Sequence, residues 1–334
     1  MEERRMLVVK LIMMVGIAAS GKSTLAERIA KKENAKIFSS DTLRAELYGD
    51  ENDQSHNNEV FNELHKRIKE HLRAGGNAIY DATNLNMKRR IAFLQELKHI
   101  PCYKKAVVVL CPYSEALAHN SKRKRRVPAA VIEKHIKQFQ IPMEFEGWDN
   151  VAFANSASYD CGYKLDELMK ECEIPHDNPH HSLSIADHMR QCEKEALKRN
   201  KEADVVVVTA AKYHDLGKPF CKEFKNRKGE PSEVAHYYNH HNVSAYFFLC
   251  SMSTSFIEGM EKIKSRGEDL GRSLAKWSVE NGFWDVVSEM AFLINYHMEA
   301  FFRNENGYKK FEELIGEERA ERLRVLHECD LAAH

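Results

Sequence analysis

The sequence predicts two domains, an α/β domain with a parallel sheet followed by an all-α domain. Apolar runs alternate with polar helical stretches through the first half of the chain. The strand signal fades after about residue 155, and amphipathic helical segments dominate from there to the end. At 334 residues the chain can supply a core to each of two domains. We expect these domains at residues 1–160 and 175–334, with the boundary between about 156 and 178.

The composition is that of a soluble globular protein, with 43% hydrophobic and 30% charged residues and equal numbers of acidic and basic side chains. No apolar run approaches the roughly 18 residues that a membrane span requires. The eight cysteines are scattered without a CxxC pair, which favours reduced thiols. These observations predict a cytoplasmic protein with no membrane partner.

The first domain begins with a short apolar run at 7–15 that ends in glycine, and a helical pattern follows Lys22. Later strand and helix patterns alternate, with strands predicted at 78–80 and 106–110 and helices at 59–74 and 88–98. Alternating strands and helices build right-handed βαβ units, which place the strands parallel in one sheet.

The segment Gly16–Thr24, GIAASGKST, fits GxxxxGK[ST] between a strand and a helix. Its glycines allow backbone N–H groups to face a phosphate chain, and the helix N-terminus adds partial positive charge. Lys22 would reach the β- and γ-phosphates, and Ser23 would ligate Mg²⁺. The alternative is a chance glycine loop. We therefore predict ATP and Mg²⁺ as cofactors, bound by Gly16, Ser20, Gly21, Lys22, Ser23 and Thr24.

The acceptor of the phosphate must be recognised elsewhere in this domain. Asp41 and Arg44 stand three residues apart, on one face of a helical turn. Asp41 could take a proton from an attacking hydroxyl, and Arg44 could hold a phosphate on the acceptor. The spacing is equally typical of a surface ion pair. Asp81, just after a strand, could meet Mg²⁺ or orient Lys22, or it could simply belong to a turn.

Five consecutive cations, Lys122–Arg126, precede a predicted helix. Such a run is suited to a lid that closes over phosphates, although a solvated basic loop has the same composition.

The motifs GIAASGKST, SDTLR, DATNLN, NSKRKRRVP and IPMEFEGWD resemble the kinase half of polynucleotide kinase–phosphatases across residues 7–150. The resemblance implies a P-loop kinase that phosphorylates the 5′-hydroxyl of RNA or DNA ends. It also implies a role for each matching residue: Lys22 and Ser23 as the P-loop pair, Asp41 as general base, Arg44 as acceptor-phosphate ligand, Asp81 as the family's acid and Arg123 as the lid arginine.

Histidine is unevenly distributed, because 11 of the 17 histidines lie at or after His176. His188 adjoins a buried helical stripe, and His214-Asp215 stands at the end of an apolar run. That run begins with the valines at 205–208, which we predict as buried helix despite their β-branched side chains. Gly217 suits a helix C-terminus. The remaining candidates on separate helices are His240, His297 and Asp330. Any one of these histidines alone is typical of a packed residue, but together they indicate a metal site.

Imidazoles and carboxylates suit Mn²⁺, Fe, Co²⁺, Ni²⁺ or Zn²⁺, and Asp215 could bridge two such ions. Three further histidines compete for neighbouring roles: His181, His236 and His241.

The pattern H…HD…H…H…D, with HDLGKPF and YYNHHNVSA, resembles the HD phosphohydrolase superfamily across about 175–334. The resemblance implies that Lys218 lies near the scissile phosphate. It also implies one metal held by His188, His214, Asp215 and Asp330, and a second held by Asp215, His240 and His297.

The two resemblances together indicate a bifunctional enzyme that heals nucleic-acid ends. An ATP-dependent 5′-hydroxyl kinase would be joined to an HD 2′,3′-cyclic phosphodiesterase or 3′-phosphatase, in RNA repair, with sealing left to a separate ligase. The alternative is a nucleoside or metabolite kinase fused to a nucleotide phosphohydrolase. A third possibility is a nucleotide-sensing regulator without catalysis. Transfer of γ-phosphate to an oligonucleotide, or instead to a nucleoside, separates these hypotheses.

Overall fold

The computed structural model describes residues 8–155, 164–179, 182–199, 204–264 and 282–333. Their chain forms two compact units. The first unit consists of Met1–His135 and Pro142–Ser156, and the second of Ile136–Ile141 and Ala157–His334.

The first unit is built on a five-stranded parallel sheet, as the sequence predicts. Its strands are β1 (Lys10–Val15), β2 (Ala35–Ser39), β3 (Asn77–Asp81), β4 (Tyr103–Leu110) and β5 (Asn150–Asn155). The spatial order is β2-β3-β1-β4-β5, with every neighbouring pair parallel. The sequence patterns identify the three central strands, whose apolar side chains are buried, but not the edge strands β2 and β5, whose residues are mostly half-exposed.

Strand register brings the ends of three strands together. Ser39 at the end of β2 pairs with Asp81 at the end of β3, and Asp81 pairs with Met14 near the end of β1. Loops that leave the carboxyl ends of parallel strands share one edge of the sheet. The loop after β1 and the acidic residues Asp41 and Asp81 therefore belong to the same edge.

The helices of the first unit flank this sheet. Their bounds are Lys22–Glu33, Ser40–Tyr48, Asn57–Arg73, Met87–Glu96, Tyr113–Lys122 and Ala129–Lys137, with a short 3₁₀ turn at Glu144–Glu146. The last two residues of the helix Ala129–Lys137 already belong to the second unit. The helix Asn57–Arg73 buries Val60, Leu64, Ile68 and Leu72, a spacing of three to four residues that gives one apolar face.

A buried ion pair fixes the loop that follows β3. Arg90 and Glu146 form two parallel hydrogen bonds, from Nε at 2.8 Å and from Nη2 at 2.6 Å, and both side chains are at most 1% exposed. Arg90 Nη1 also donates to the carbonyl oxygens of Asn84 and Leu85, and Trp148 Nε1 donates to Glu146. Each buried charge is thus fully paired, which such burial requires.

The second unit is largely helical. Its helices are Leu165–Glu171, Ile185–Arg199, Val205–Tyr213, Lys218–Cys221, His240–Lys264, Phe283–Tyr296, Glu299–Phe302, Glu305–Ile315 and Glu317–Ala332. The helix predicted over the valine run is confirmed: Val206 and Val207 are buried, whereas Val205 is exposed. Burial of two valines on one helix face outweighs their β-branched preference for strands.

An antiparallel hairpin is the departure from an all-helical second domain. It pairs Glu223–Lys225 with Pro231–His236. One strand has only three residues, too few to give an alternating pattern that a sequence reading would detect.

Two buried asparagines hold the segment Ile136–Ile141 within the second unit. Asn295 Oδ1 accepts the Ile141 N–H at 2.8 Å, and Asn242 Nδ2 donates to the Lys137 carbonyl oxygen at 2.8 Å. Asn295 Nδ2 also donates to Asn242 Oδ1 at 2.9 Å. In the described parts of the chain, no helix combines the length and the apolar character needed to cross a membrane.

Candidate functional site

The loop after β1 wraps its backbone tightly against the sheet. Gly16 N–H donates to the Thr83 carbonyl oxygen at 3.0 Å, and a Cβ at Gly16 would lie only 2.8 Å from the Val109 carbonyl oxygen. Gly21 has φ 82°, a left-handed conformation that favours glycine, and precedes the helix Lys22–Glu33. The loop therefore has the glycine requirement and the helix start of a phosphate-binding loop.

Lys22 is buried inside this loop, with 8% of its surface exposed. Its ammonium group donates to the Ile17 carbonyl oxygen and lies 3.5 Å from Ser20 Oγ. Burial lowers the Lys22 pKa to about 8, although Asp81 and Asp41 act in the opposite direction. Strand register places Asp81, and the start of the helix that carries Asp41, at the same sheet edge as this loop.

Asp81 and Ser23 are the candidate Mg²⁺ ligands of this domain. The two side chains are hydrogen-bonded, and burial raises the Asp81 pKa while Lys22 and Ser23 oppose that change. A carboxylate and a hydroxyl are ligands that Mg²⁺ prefers. These residues fit a Mg²⁺ site. Thr24, the other hydroxyl of the motif, is exposed on the first helical turn, and Ser20 is fully buried.

Two guanidinium groups hold the Asp41 carboxylate. Arg44 Nη1 donates to Asp41 Oδ1 at 2.9 Å, as the i,i+3 spacing predicts, and Arg125 Nη1 donates to Oδ2 at 2.6 Å. Arg44 is 4% exposed and also donates to Asn57 Oδ1 at 2.7 Å. Arg125 donates in addition to Asn52 Oδ1 at 2.7 Å. Because the Asp41 side chain remains 44% exposed, a hydroxyl could still approach it.

The basic run contributes Arg125 to this group, a residue that the sequence reading did not select. Arg123, the predicted lid arginine, is exposed at the end of the helix Tyr113–Lys122 and interacts electrostatically with Lys22 and Asp81. Both arginines lie in the same run of five cations, so the local sequence does not show which of them contacts Asp41. The role of Arg123 stays a prediction.

Two histidines contact the P-loop backbone, and the sequence predicted a site role for neither. The Ala18 N–H donates to His135 Nδ1 at 3.2 Å, and His119 Nδ1 lies 3.2 Å from the Ala19 carbonyl oxygen. Burial, followed by the charge of Lys22, lowers the His135 pKa to about 4. His135 is consequently neutral at physiological pH and serves as an acceptor for the loop.

In the second unit, the six predicted metal ligands converge. His188 Nε2 lies 2.9 Å from Asp330 Oδ1 and 3.3 Å from His214 Nε2. His240 Nε2 lies 3.1 Å from Asp215 Oδ1 and 3.3 Å from His297 Nε2. The helices that carry these residues are far apart in sequence, so only the fold brings the side chains together.

Every imidazole of the cluster is anchored through its Nδ1 to a backbone carbonyl oxygen. His214 bonds Ala211, His240 bonds Tyr237 and His297 bonds Ile294, each at 2.8 Å, and His188 bonds Ala333 at 3.3 Å. A carbonyl oxygen only accepts, so Nδ1 carries a hydrogen and Nε2 is the ring atom directed into the cluster. This is the arrangement by which proteins orient histidine ligands for metals.

Asp215 is the central carboxylate, and its surroundings fit a cation. Both of its oxygens are buried, with Lys218 Nζ 2.6 Å from Oδ2 and His240 Nε2 3.1 Å from Oδ1. Burial alone would raise the Asp215 pKa, but Lys218 and His214 outweigh it and hold the pKa well below its ordinary value. A buried, ionised carboxylate surrounded by imidazole nitrogens is suited to metal ligation.

Within the described residues, two groups of three side chains have ligand atoms close enough to share an ion. One group is His188, His214 and Asp330, and the other is His214, Asp215 and His297. His214 thus appears in both groups, whereas the family resemblance gives the shared role to Asp215. Burial would lower the His214 pKa, but Asp215 and Asp330 raise it to about 10.

Gly217 has a role different from the one its sequence position suggests. Its φ is −83°, an ordinary right-handed value, so it does not serve as a left-handed helix cap. A Cβ there would lie 2.5 Å from the His240 carbonyl oxygen and 2.7 Å from Ser244 N. Gly217 is therefore required by the close approach of the helix His240–Lys264.

The rival histidines have different surroundings. His241 is 8% exposed, and its Nδ1 is buried without a hydrogen-bond partner among described groups. His236 lies in the hairpin, where its Nε2 is 3.0 Å from Ser232 Oγ. His181 lies outside the described residues. His176, which the sequence reading did not select, is 1% exposed, and its Nε2 lies 3.2 Å from Lys218 Nζ.

Comparison with known proteins agrees with the P-loop domain. Residues 11–143 match a family model described as an AAA domain, which spans less than half of the chain. Together with the five-stranded sheet and the loop geometry, this match defines the first unit as a kinase-like P-loop domain. A comparison with curated protein sequences finds no match.

Several solved structures resemble part of the chain, with low identity. A kinase candidate from Chloroflexus aurantiacus has 17% identity and a TM-score of 0.38, covering 45% of this chain and 87% of that one. The Pnkp1/Rnl/Hen1 RNA repair complex has 24% identity and a TM-score of 0.36, covering 42% and 47%. A gluconokinase from Sinorhizobium meliloti has 15% identity and a TM-score of 0.33, covering 45% and 83%.

Proposed function

We propose that the first unit is an ATP-dependent kinase that phosphorylates the 5′-hydroxyl of a polynucleotide. The observation that carries this proposal is the position of Asp41, which follows the sheet edge that also bears the P-loop and is held by two arginines. A carboxylate beside a phosphate-binding loop can accept the proton of an attacking hydroxyl, and guanidinium groups can bind an acceptor phosphate. A polynucleotide end carries such a phosphate next to its terminal sugar.

In this proposal, each residue acts on the transfer directly. The acceptor oxygen forms a bond to the γ-phosphorus, the bond to the β-phosphate oxygen breaks, and Asp41 receives the hydroxyl proton. Lys22 offsets charge on the phosphates, and Ser23 and Asp81 would hold Mg²⁺. Arg44 and Arg125 would orient the acceptor, with Arg123 closing over the phosphates.

We propose that the second unit is an HD-type metal-dependent phosphohydrolase. His188, His214, Asp215, His240, His297 and Asp330 would hold one or two ions such as Mn²⁺, Ni²⁺, Co²⁺, Fe or Zn²⁺. Bound ions of this kind supply an activated water and offset charge on phosphoryl oxygens. The carrying observation is the convergence of four Nε2 atoms on two carboxylates. Lys218, 2.6 Å from Asp215, would donate to a phosphoryl oxygen of the substrate.

The two activities together would heal a broken RNA, or a DNA, before ligation. The phosphohydrolase would open a 2′,3′-cyclic phosphate or remove a 3′-phosphate, and the kinase would supply the 5′-phosphate. A separate ligase would then seal the ends. The seven cysteines among the described residues are all free, which is in keeping with a cytoplasmic location.

The kinase proposal is tested with γ-labelled ATP, a 5′-hydroxyl oligoribonucleotide and a matching oligodeoxynucleotide. We expect label to move to the oligonucleotide, and to be lost in Lys22→Ala and Asp41→Asn. Label on a free nucleoside or sugar, with none on either oligonucleotide, would instead establish a small-molecule kinase.

The phosphohydrolase proposal is tested by end-group analysis of an RNA that ends in a 2′,3′-cyclic phosphate. We expect conversion to a phosphomonoester or a free hydroxyl in the presence of Mn²⁺, and none in Asp215→Asn. Metal analysis of the purified chain provides a second measurement. Less than one transition-metal ion per chain, with the same content in His214→Ala, would contradict the proposal.

A further inference from the structure

A buried histidine outside the predicted metal ligands contacts the HD lysine. His176 Nε2 lies 3.2 Å from Lys218 Nζ, and the same ammonium group is 2.6 Å from Asp215 Oδ2. His176 is 1% exposed and Lys218 7% exposed, so water does not compete freely for either group. Three buried side chains thus form a continuous polar chain that ends at the central carboxylate.

The tautomer of His176 follows from its two neighbours. Nδ1 lies 2.9 Å from the Leu183 carbonyl oxygen, which can only accept, so Nδ1 carries the hydrogen. Nε2 faces an ammonium group, which can only donate, and it must therefore present its lone pair to Lys218. The imidazole is therefore an acceptor for the lysine.

The loop that carries His176 is itself fixed. Tyr237 Oη donates to the His176 carbonyl oxygen, and the Tyr237 ring lies 5.5 Å from Lys218 Nζ in a cation–π contact. Lys222 Nζ bonds the Pro175 carbonyl oxygen and Asp177 Oδ2, each at 2.7 Å. The residue before His176 and the residue after it are both bound, so the imidazole has little freedom to leave Lys218.

From this arrangement we propose that His176 is a positioning residue, which holds the Lys218 ammonium for a phosphoryl oxygen of the substrate. An ammonium group has three donors. Asp215 and His176 account for two of them, and the third is the one a phosphate would accept. Fixing two donors sets the direction of the third, because they radiate from one nitrogen. The inference rests on the proposed phosphohydrolase activity and adds to it a residue that orients the lysine.

The activity test compares His176→Leu, Lys218→Met and the double variant, with bis(p-nitrophenyl) phosphate as substrate and Mn²⁺ as the metal. We expect His176→Leu to lower kcat about 10- to 100-fold, the range for residues that orient a functional group, with KM nearly unchanged. The double variant should lose no more than Lys218→Met alone, because His176 acts through the lysine. His176→Gln, whose amide can still accept, should recover part of the loss.

Two controls separate this role from folding. Lys228→Met removes an exposed lysine of the hairpin turn that belongs to neither proposed site, and it should leave kcat unchanged. Bound metal per chain should stay at the wild-type level in His176→Leu. Additive losses in the double variant, or equal losses in Lys228→Met, would overturn the inference, whereas a wild-type chain without hydrolysis would instead overturn the proposed function.

A measurement that needs no turnover completes the test. ¹⁵N NMR of the histidine rings distinguishes an unprotonated Nε2 from a protonated one. We expect His176 as the Nδ1–H tautomer, with an Nε2 signal that moves in Lys218→Met and not in the matched surface variant Lys212→Met. An Nε2–H tautomer, or a signal indifferent to Lys218→Met, would refute the positioning role even if the chain proved inactive.

Discussion

The two candidate sites are built in opposite ways. The first relies on the backbone of one short segment, in which Gly16 and Gly21 shape the loop around Lys22. The second relies on side chains from separate helices, which meet only when the unit is folded. A site made of contiguous backbone can be recognised from a few letters of sequence, whereas a site made by convergence needs the fold.

Removal of metal should give the largest difference between the two sites. Dialysis against a chelator should reduce phosphoester hydrolysis to background, because the proposed site would lose the cation that Asp215 and the imidazoles hold. Kinase activity should return fully when Mg²⁺ alone is added back, since its proposed ligands are oxygen atoms. Parallel assays of both activities on the same dialysed sample check this, with Mn²⁺ restoring hydrolysis. If Mg²⁺ alone restored both activities, the proposed difference in metal preference would be wrong.

Asp41→Asn should impair the first site and leave the second unaffected. Loss of the proposed base should lower kcat of phosphate transfer by about 10²- to 10⁴-fold, the usual contribution of general base catalysis. The KM for ATP should change little, because Asp41 belongs to the acceptor side. Steady-state kinetics with varied ATP and varied oligonucleotide measure both quantities. Hydrolysis of a phosphodiester by the same variant serves as the control and should be unaffected.

Glu146→Gln tests how much the buried Arg90–Glu146 pair stabilises the unit that carries the first site. The change leaves the buried Arg90 without a charged partner and should cost about 3–5 kcal/mol of unfolding free energy. Urea denaturation, followed by Trp148 fluorescence, reports on this unit because the indole donates to Glu146.

The neighbouring acid provides the matched control for that experiment. Glu144 belongs to the same 3₁₀ turn but is exposed, so Glu144→Gln should leave the denaturation midpoint nearly unchanged. Equal destabilisation by the two substitutions would mean that the turn, not the buried pair, supports the loop.

Arg125→Gln should have the smallest effect, a rise of about 10- to 100-fold in the KM for the oligonucleotide. This corresponds to the loss of one hydrogen bond to a charged group. Arg126→Gln, at the adjacent exposed cation, is the matched control. Initial rates over a range of oligonucleotide concentrations distinguish them. A rise in the KM for ATP instead would assign Arg125 to the nucleotide side.

The comparison also explains which parts of the fold and of the sites could be predicted from the sequence. The central strands and the P-loop follow from apolar runs and glycine spacing, and the structure confirms them. The edge strand β2, AKIFS, has exposed and half-exposed residues and gives no such signal. Arg125 is distinguished from Arg123 only by where the lid loop meets Asp41, which is a property of tertiary structure.

The second site, too, was predictable from the sequence only in part. A metal site was predicted from the histidines and aspartates taken together, and the division of the six candidates between two metals came from the family resemblance. No local pattern places His188 beside Asp330. His176 was missed because its partner Lys218 lies more than forty residues away, and a single histidine after a proline has no periodic context. Contacts between residues so far apart in sequence cannot be predicted from local sequence patterns.

Gly217 has a consequence for the proposed metal site. The backbone at Gly217 abuts the first turn of the His240 helix, where an added Cβ would meet the His240 carbonyl oxygen, and His240 Nε2 lies 3.1 Å from Asp215 Oδ1. In the proposed site, the spacing of two ligands would therefore depend on a residue that itself coordinates nothing. A larger residue at that position would displace the His240 helix and alter this spacing while leaving every proposed ligand in the sequence intact.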